Sequence, residues 1–378
     1  MGKKKSLGRL GHVGFFLTLL FIVPVLMMAM PVLAANKIIL STETGLPEAH
    51  EQTWSGTGKP WTQAVAKRSG GTVEFKLHFG GELVSMIDLM RGVGSGMVNI
   101  GSPFTGYYPS EFAMEALLGT LTYPTFRPPD PPRMAITKIL YANIPAFSAA
   151  YKRANVRKLF TISCPGWGIV SRVPVTKLSD LKGLKIRTFG TYIPKMLRAA
   201  GATPVTLPFS EVIDALHKRV VDGTFINLSN ARDLKLQDIA KHIVMCGTDG
   251  IPGHVIPYAY VINLGTWKKL PAKIKRIMLE EGKRVEMEYA HFSAKEQLIA
   301  AKQMEKSGAT LHKLSAKDLS EWAKRCGDFP SAAGKDLDKK KLPGTETIAL
   351  IKKLAKLPMA DLMKRYDTAW QKEISMIK

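Results

Sequence analysis

Two arginines stand out among the residues that could do chemistry. Arg187 falls at the C-terminal end of a predicted strand, Leu184 to Thr188, and Arg172 precedes it by fifteen residues. In an open α/β sheet the carboxyl ends of parallel strands face the ligand crevice. A guanidinium placed there grips a carboxylate with two parallel hydrogen bonds, which a lysine does less well. Either arginine could instead complete a structural ion pair. Other constellations fail on spacing. The run Gly92-Val93-Gly94-Ser95-Gly96 closes a helical stretch, so it matches neither the dinucleotide fingerprint nor the nucleophile elbow. His50-Glu51 lacks a second histidine four residues on, no P-loop is present, and the eight histidines are scattered. Cys164, Cys246 and Cys326 lie far apart with no CxxC, which argues against a disulfide scaffold and a zinc ribbon. No catalytic residue, cofactor or metal is expected.

The elements that must position Arg187 alternate between strand and helix. Lys37 to Leu40 reads as a short strand, and Thr72 to Phe79 as a strand with Val73, Phe75, Leu77 and Phe79 on one face. Gly80-Gly81 leads into a helical stretch, Glu82 to Val93, and Met97 to Ile100 is the next strand. Residues 101–133 hold seven prolines with Phe104, Tyr107, Tyr108 and Phe112, a long irregular connection of the kind that carries function. A second β-α-β-α-β stretch spans 157–228, with strands at Arg157 to Ser163, Leu184 to Thr188, Pro204 to Leu207 and Thr224 to Leu228. After a strand at Tyr258 to Asn263, Pro271 opens a helix that continues to about Ser307. At 1.5 Å per residue it would be about 54 Å long, so it either kinks at Gly282 or lies across two domains. Gly334 to Gly344 reads as a charged linker, and helices end the chain. The class is α/β with mostly parallel sheets.

Composition bounds the rest. The 378 residues are 46% hydrophobic and 22% charged, ordinary for a globular protein of two or three domains. Lys3, Lys4, Lys5 and Arg9, an uncharged run from Val13 to Met30, and small residues around Ala34 form a secretory signal over 1–34. An uncleaved anchor is the alternative, since the 18 residues of that run approach the span of a bilayer. Loss of 1–34 lowers the net charge from +23 to +19. The lysines and arginines are spread along the chain, which suits a solvated basic surface better than a polyanion-binding face.

Several segments together carry a family resemblance. They are Leu181-Lys182-Gly183-Leu184-Lys185-Ile186-Arg187, Gly201-Ala202-Thr203-Pro204-Val205, Ser210-Glu211-Val212, Ala215-Leu216 and Val221-Asp222-Gly223. Gly80-Gly81-Glu82-Leu83 and Trp267-Lys268-Lys269-Leu270-Pro271 agree with them. In consistent order over roughly 37–310, the chain resembles the substrate-binding proteins of tripartite ATP-independent periplasmic (TRAP) transporters, the DctP family. The resemblance implies a two-domain fold like the type II periplasmic binding proteins, with a long helix spanning both domains. It implies 1–34 as signal peptide, 36–162 plus about 255–295 as the first domain, and 163–254 plus about 296–378 as the second.

The resemblance also implies roles. The family's K-[IL]-R arginine, here Arg187, clamps the substrate carboxylate. The segment after V-D-G lines the cleft, giving Phe225 and Asn227, and here it lacks the family's usual acidic residue, which deprives metal-assisted binding of a carboxylate. A position that carries a second substrate arginine in some members falls near Trp167. Arg172 is retained as a candidate, with Ser102 and Tyr107 from the first domain, and Tyr258 and His254 from the returning strand. Trp167, Phe225 and Tyr107 lean towards a monocarboxylate with an apolar or aromatic body. The implied partners are a small organic acid and the small and large TRAP membrane subunits, with no nucleic acid; the protein is a monomer or dimer, in the periplasm. An exported polyanion-binding protein and a secreted enzyme without a recognisable motif are the rival readings.

Overall fold

The computed structural model describes residues 37–120, 130–164, 167–245 and 254–377. The expected signal segment, Cys246 and part of the proline-rich connection lie outside them. Among the described residues, eleven strands divide between two sheets. The first sheet is formed by β1 (Ile38–Glu43), β2 (Val73–His78), β3 (Ile100–Gly101), β4 (Val156–Cys164) and β10 (His254–Asn263), in the order β2-β1-β3-β10-β4. The second is formed by β5 (Trp167–Ser171), β6 (Lys185–Thr188), β7 (Thr203–Thr206), β8 (Gly223–Asn227), β9 (His242–Met245) and β11 (Thr310–Lys313), in the order β11-β9-β5-β8-β6-β7. Each sheet is parallel apart from one antiparallel strand. That strand is β10 in the first sheet and β5 in the second.

These two strands are how the chain changes lobes. β4 ends in the first sheet and β5 opens in the second; β9 ends in the second and β10 returns to the first. The third crossing is the helix Ala272–Lys306, 35 residues and about 52 Å long. It does not need a kink at Gly282. A Cβ there would stand 3.1 Å from the Phe160 ring, so glycine lets the helix press against β4. Its early part serves the first lobe, where the Trp61 indole donates to the Met278 carbonyl at 3.1 Å and the Thr161 amide to Glu286 at 2.8 Å. Its later part serves the second lobe, where Gln297 accepts from the Ser229 amide at 3.0 Å and Glu296 pairs with Arg232. One rigid element therefore references both lobes.

The tail divides differently from the expectation that placed all of 296–378 with the second lobe. The helix Ala316–Cys326 does lie there, its Trp322 indole donating to the Met196 carbonyl at 2.9 Å. The helix Met359–Ser375 lies on the first lobe. Its Glu373 meets Lys138 and Arg157, and its Tyr366 and Trp370 donate to Glu286. Gly334 to Gly344, expected to be a linker, is a helix crossing. Gly334 sits within the helix Phe329–Asp338, and a Cβ on Gly344 would fall 2.1 Å from the Gly334 carbonyl. Only the lysine run 339–341 forms a turn.

Candidate ligand-binding site

Arg187 sits near the carboxyl end of β6, level with Val205 of β7 and Thr224 of β8. Both flanking strands are parallel to it, so the side chain emerges where such sheets open a crevice. It is 1% exposed. Its Nε donates to the Leu207 carbonyl at 3.0 Å, just beyond β7, and its guanidinium carbon stands 5.3 Å from the centre of the Phe189 ring. Burial depresses its pKa, opposed by the nearby Tyr107 and Tyr258 hydroxyls and then by Glu211. No carboxylate among the described residues forms an ion pair with it. An arginine does not shed its proton in a protein. The charge is therefore held out of water with no carboxylate of the described residues paired to it, a state that costs free energy.

Aromatic rings enclose this cation from both lobes. Phe104 of the first lobe packs against Tyr107, Tyr258 and, across the lobes, Phe189, at centroid distances of 5.3, 4.8 and 5.3 Å. Trp167 at the start of β5 stacks on Phe225 at 5.3 Å and meets Phe189 at 4.9 Å. The antiparallel pairing of β5 and β8 sets Trp167 opposite Asn227, with Phe225 two residues along on β8. Tyr107 also reaches across: its hydroxyl oxygen accepts the Phe209 amide hydrogen at 3.0 Å. The lobes thus meet around Arg187.

Beside this cluster lies an interlobe cavity of about 490 Å³. The first lobe lines it with residues from Gly45 to His50 and Gly80 to Ile87, the second with Pro208 to Ile213 and Asn230 to Leu234. Glu43, buried at the end of β1, accepts from the amides of Gly45, Gly81 and Leu83 and so fixes both first-lobe loops at the cavity wall.

The other candidates separate by position. Tyr107, Tyr258, Trp167 and Phe225 join Arg187. Asn227 is at the right strand end, but its side-chain oxygen accepts from the Asn230 amide and the Ser229 hydroxyl, capping the helix Leu228–Asp233. Ser102 is buried in the first lobe with its hydroxyl donating to the Thr44 carbonyl. Arg172 is a correction. Because β5 runs antiparallel, Trp167 lies at the cleft and Arg172, past Ser171, at the opposite edge of the sheet, where it donates to the Leu216 carbonyl at 2.9 Å. The side chain of His254 lies outside what the structure describes. Phe104, Phe189, Phe209 and His50 had not been expected at the site. Phe104 and Phe189 each lie two residues from an expected position, Ser102 and Arg187.

A family model described as bacterial extracellular solute-binding protein, family 7 (DctP), matches residues 46–328. The chain belongs to that family. The C4-dicarboxylate-binding periplasmic protein DctP of Rhodobacter capsulatus is 32% identical over 191 residues, 50% of this chain and 54% of that protein. The match thus spans about half the length of that relative. Two solved structures share the fold. A TRAP solute binding protein from Rhodoferax ferrireducens T118, in complex with benzoate, superposes with a TM-score of 0.76 at 18% identity, covering 87% of this chain and 99% of that one. A marine metagenome TRAP solute binding protein in complex with metahydroxyphenylacetate gives 0.75 at 23% identity, covering 88% and 100%. Two α/β lobes joined by a helix that serves both is the architecture expected from the sequence, and its fold is that of these two solved structures.

Proposed function

We propose that this chain is an extracytoplasmic receptor of a TRAP transporter, exported through residues 1–34, that captures a small organic monocarboxylate between its lobes. The observation that carries the reading is the buried Arg187 guanidinium with aromatic neighbours and, among the described residues, no carboxylate in an ion pair with it. The ligand's carboxylate supplies the missing counter-ion, in a water-poor setting where charge pairs are stronger. Truncating one partner of such a pair costs on the order of 2–5 kcal/mol. Phe104, Tyr107, Trp167, Phe189, Phe225 and Tyr258 offer flat apolar surface to the rest of the ligand. The lining of the adjacent cavity includes Glu211 and Asp233 and no lysine or arginine, which disfavours a second carboxylate. The Rhodobacter relative is named for dicarboxylates; the benzoate and metahydroxyphenylacetate complexes lie nearer to what this site accommodates.

The lobes contact one another through Phe104–Phe189 and Tyr107–Phe209, so capture is a closure, and the closed form is what the small and large membrane subunits receive. No turnover is required of the protein. The test is a thermal-shift screen over carboxylic acids, since a ligand that binds only the folded state raises the melting temperature. Calorimetry on the best acid with Arg187→Ala follows. We expect at least about 100-fold weaker binding; wild-type affinity in the variant overturns the reading.

A further inference from the structure

A second cavity, of about 920 Å³, is lined by the first lobe alone. It lies where β4 begins, beside Val156 to Lys158, whereas the other end of β4, Cys164, leads to the second lobe and the cleft. Lys138, Arg157 and Lys158 line it, and so do Lys152, Lys268, Lys275 and Lys372. Among the described residues, Glu373 is the one carboxylate in that lining. The balance is seven cations to one anion. In the sequence these cations are scattered between positions 138 and 372, and the fold gathers them around one hollow.

The chain leaves donors unspent there. Arg157 gives one terminal nitrogen to Glu373 at 2.6 Å and holds its guanidinium carbon 4.8 Å from the centre of the Trp267 ring, but its buried Nε has no hydrogen-bond partner. Lys158 donates to the Thr161 hydroxyl at 3.1 Å and lies 2.7 Å from the centre of the Tyr141 ring, with no ion pair among the described residues. Glu115 and Glu286 favour its charge, but neither lines the cavity. Glu115 accepts from the Tyr151 hydroxyl, and Glu286 from the Thr161 amide, Tyr366 and Trp370. Lys138, 5% exposed, shares Glu373 with Arg157. Like charges gathered this closely repel one another, and an anion seated among them relieves the repulsion.

The donor set says which anion fits. A single carboxylate does not balance seven cations. Six of the seven are lysines, rotatable point charges that meet oxygens set in any direction, whereas a flat carboxylate is best met by an arginine fork. The one arginine in the lining already spends part of its fork on Glu373. We propose that this cavity is a binding site for a polyvalent phosphate, separate from the cleft at Arg187. Free polyphosphate and the phosphoryl headgroups of an anionic lipid share that chemistry, and the test distinguishes them.

The protein lacking 1–34 is titrated calorimetrically with tripolyphosphate and floated with vesicles of phosphatidylglycerol, phosphatidylcholine vesicles serving as the blank. Tripolyphosphate binding without flotation assigns free polyphosphate; flotation with phosphatidylglycerol alone assigns the lipid headgroup. Whichever probe binds should bind the triple variant Lys152→Gln, Lys268→Gln, Lys372→Gln about 10-fold or more weakly. These side chains are exposed, so the fold should be unaffected. Lys158→Met should weaken binding about 5-fold, which places the anion inside the cavity rather than on the surface around it. Removing the same charge from the second lobe, with Lys182→Gln, Lys302→Gln and Lys324→Gln, should leave affinity within about 2-fold of wild type, and so should Arg187→Ala. Binding of neither probe to wild type overturns the proposal. So does an equal loss in the two triple variants, which would mean general charge attraction, or full affinity in Lys158→Met. A loss in Arg187→Ala overturns it as well, by placing the phosphate in the cleft.

Discussion

Buried cations near the last helix and at the cleft are treated differently. In the first lobe, Lys138 and Arg157 share Glu373, and Lys138 Nζ also lies 3.2 Å from the centre of the Trp370 ring. Nearby, Lys158 feels both Glu115 and Glu286; burial nonetheless pushes it down to about 7, and pushes Glu115 up to about 6. Lys138 and Arg157 are thus paired with a carboxylate of the chain, Lys158 donates to the Thr161 hydroxyl with two buried glutamates nearby, and the result is to fasten the last helix to the lobe. At the cleft, Arg187 has a carbonyl, tyrosine hydroxyls and an aromatic face, with Glu211 acting only from a distance and no ion pair among the described residues. His50 in the same cleft avoids the problem by staying neutral, an option a guanidinium lacks. In the first lobe Lys138 and Arg157 are compensated by a carboxylate of the chain; at the cleft no carboxylate among the described residues pairs with Arg187, which is what the proposed ligand would supply.

This contrast can be broken in several ways. The largest effect is expected at Glu373→Ala, which leaves Lys138 buried without its anion. Urea unfolding should show a loss of about 3–5 kcal/mol, with acid affinity unchanged. A stability close to wild type would mean that the first-lobe network is not compensation at all.

Next comes pH. The unfolded His50 imidazole has its ordinary value of 6.5 and the folded one about 4, so between those values the unfolded state takes up the proton first. This contribution is whole above pH 6.5 and is lost as the pH falls towards 4, up to about 3 kcal/mol. The wild-type stability curve should therefore drop more steeply than that of His50→Gln over this window, and parallel curves would refute the assignment.

A smaller effect of opposite sign tests the cleft cation directly. Arg187→Met removes an uncompensated charge, so the unliganded variant should unfold at a urea concentration equal to or above that of wild type, by up to about 2 kcal/mol. A marked loss of stability would show that Arg187 is structural. The smallest effect belongs to Arg172→Ala, which touches only the Leu216 carbonyl. Acid affinity should stay within about 2-fold of wild type, and a large loss would return Arg172 to the site.

Much of this was legible in the chain because it depends on local pattern. The alternating Val73, Phe75, Leu77 and Phe79 announced β2, the apolar spacing after Pro271 announced the long helix, and Arg187 announced itself by its place at the end of β6. Trp167 opens β5, Phe225 and Tyr258 lie within β8 and β10, and Tyr107 is in the connection after β3, and their rings converge beside Arg187. What escaped depends on distant partners. β5, β9 and β11 are short strands of five, four and four residues, and only their neighbours distinguish them from loops. Missing β5 hid its direction, and with it the fact that Arg172 points to the far edge. His50 and Asn230, which line one cavity, are 180 positions apart, so nothing near either reveals the other. Gly334 and Gly344 suggested a linker because a helix crossing and a flexible joint use the same residue.

The most direct test of the uncompensated cation compares an acid with its own amide. Wild-type protein is titrated calorimetrically with the best carboxylate from the thermal-shift screen and with the corresponding primary carboxamide, which matches its shape without its charge. The carboxylate should bind about 100-fold or more tightly. Equal affinities would mean that Arg187 is satisfied without an anion, and that the cleft recognises something other than an acid.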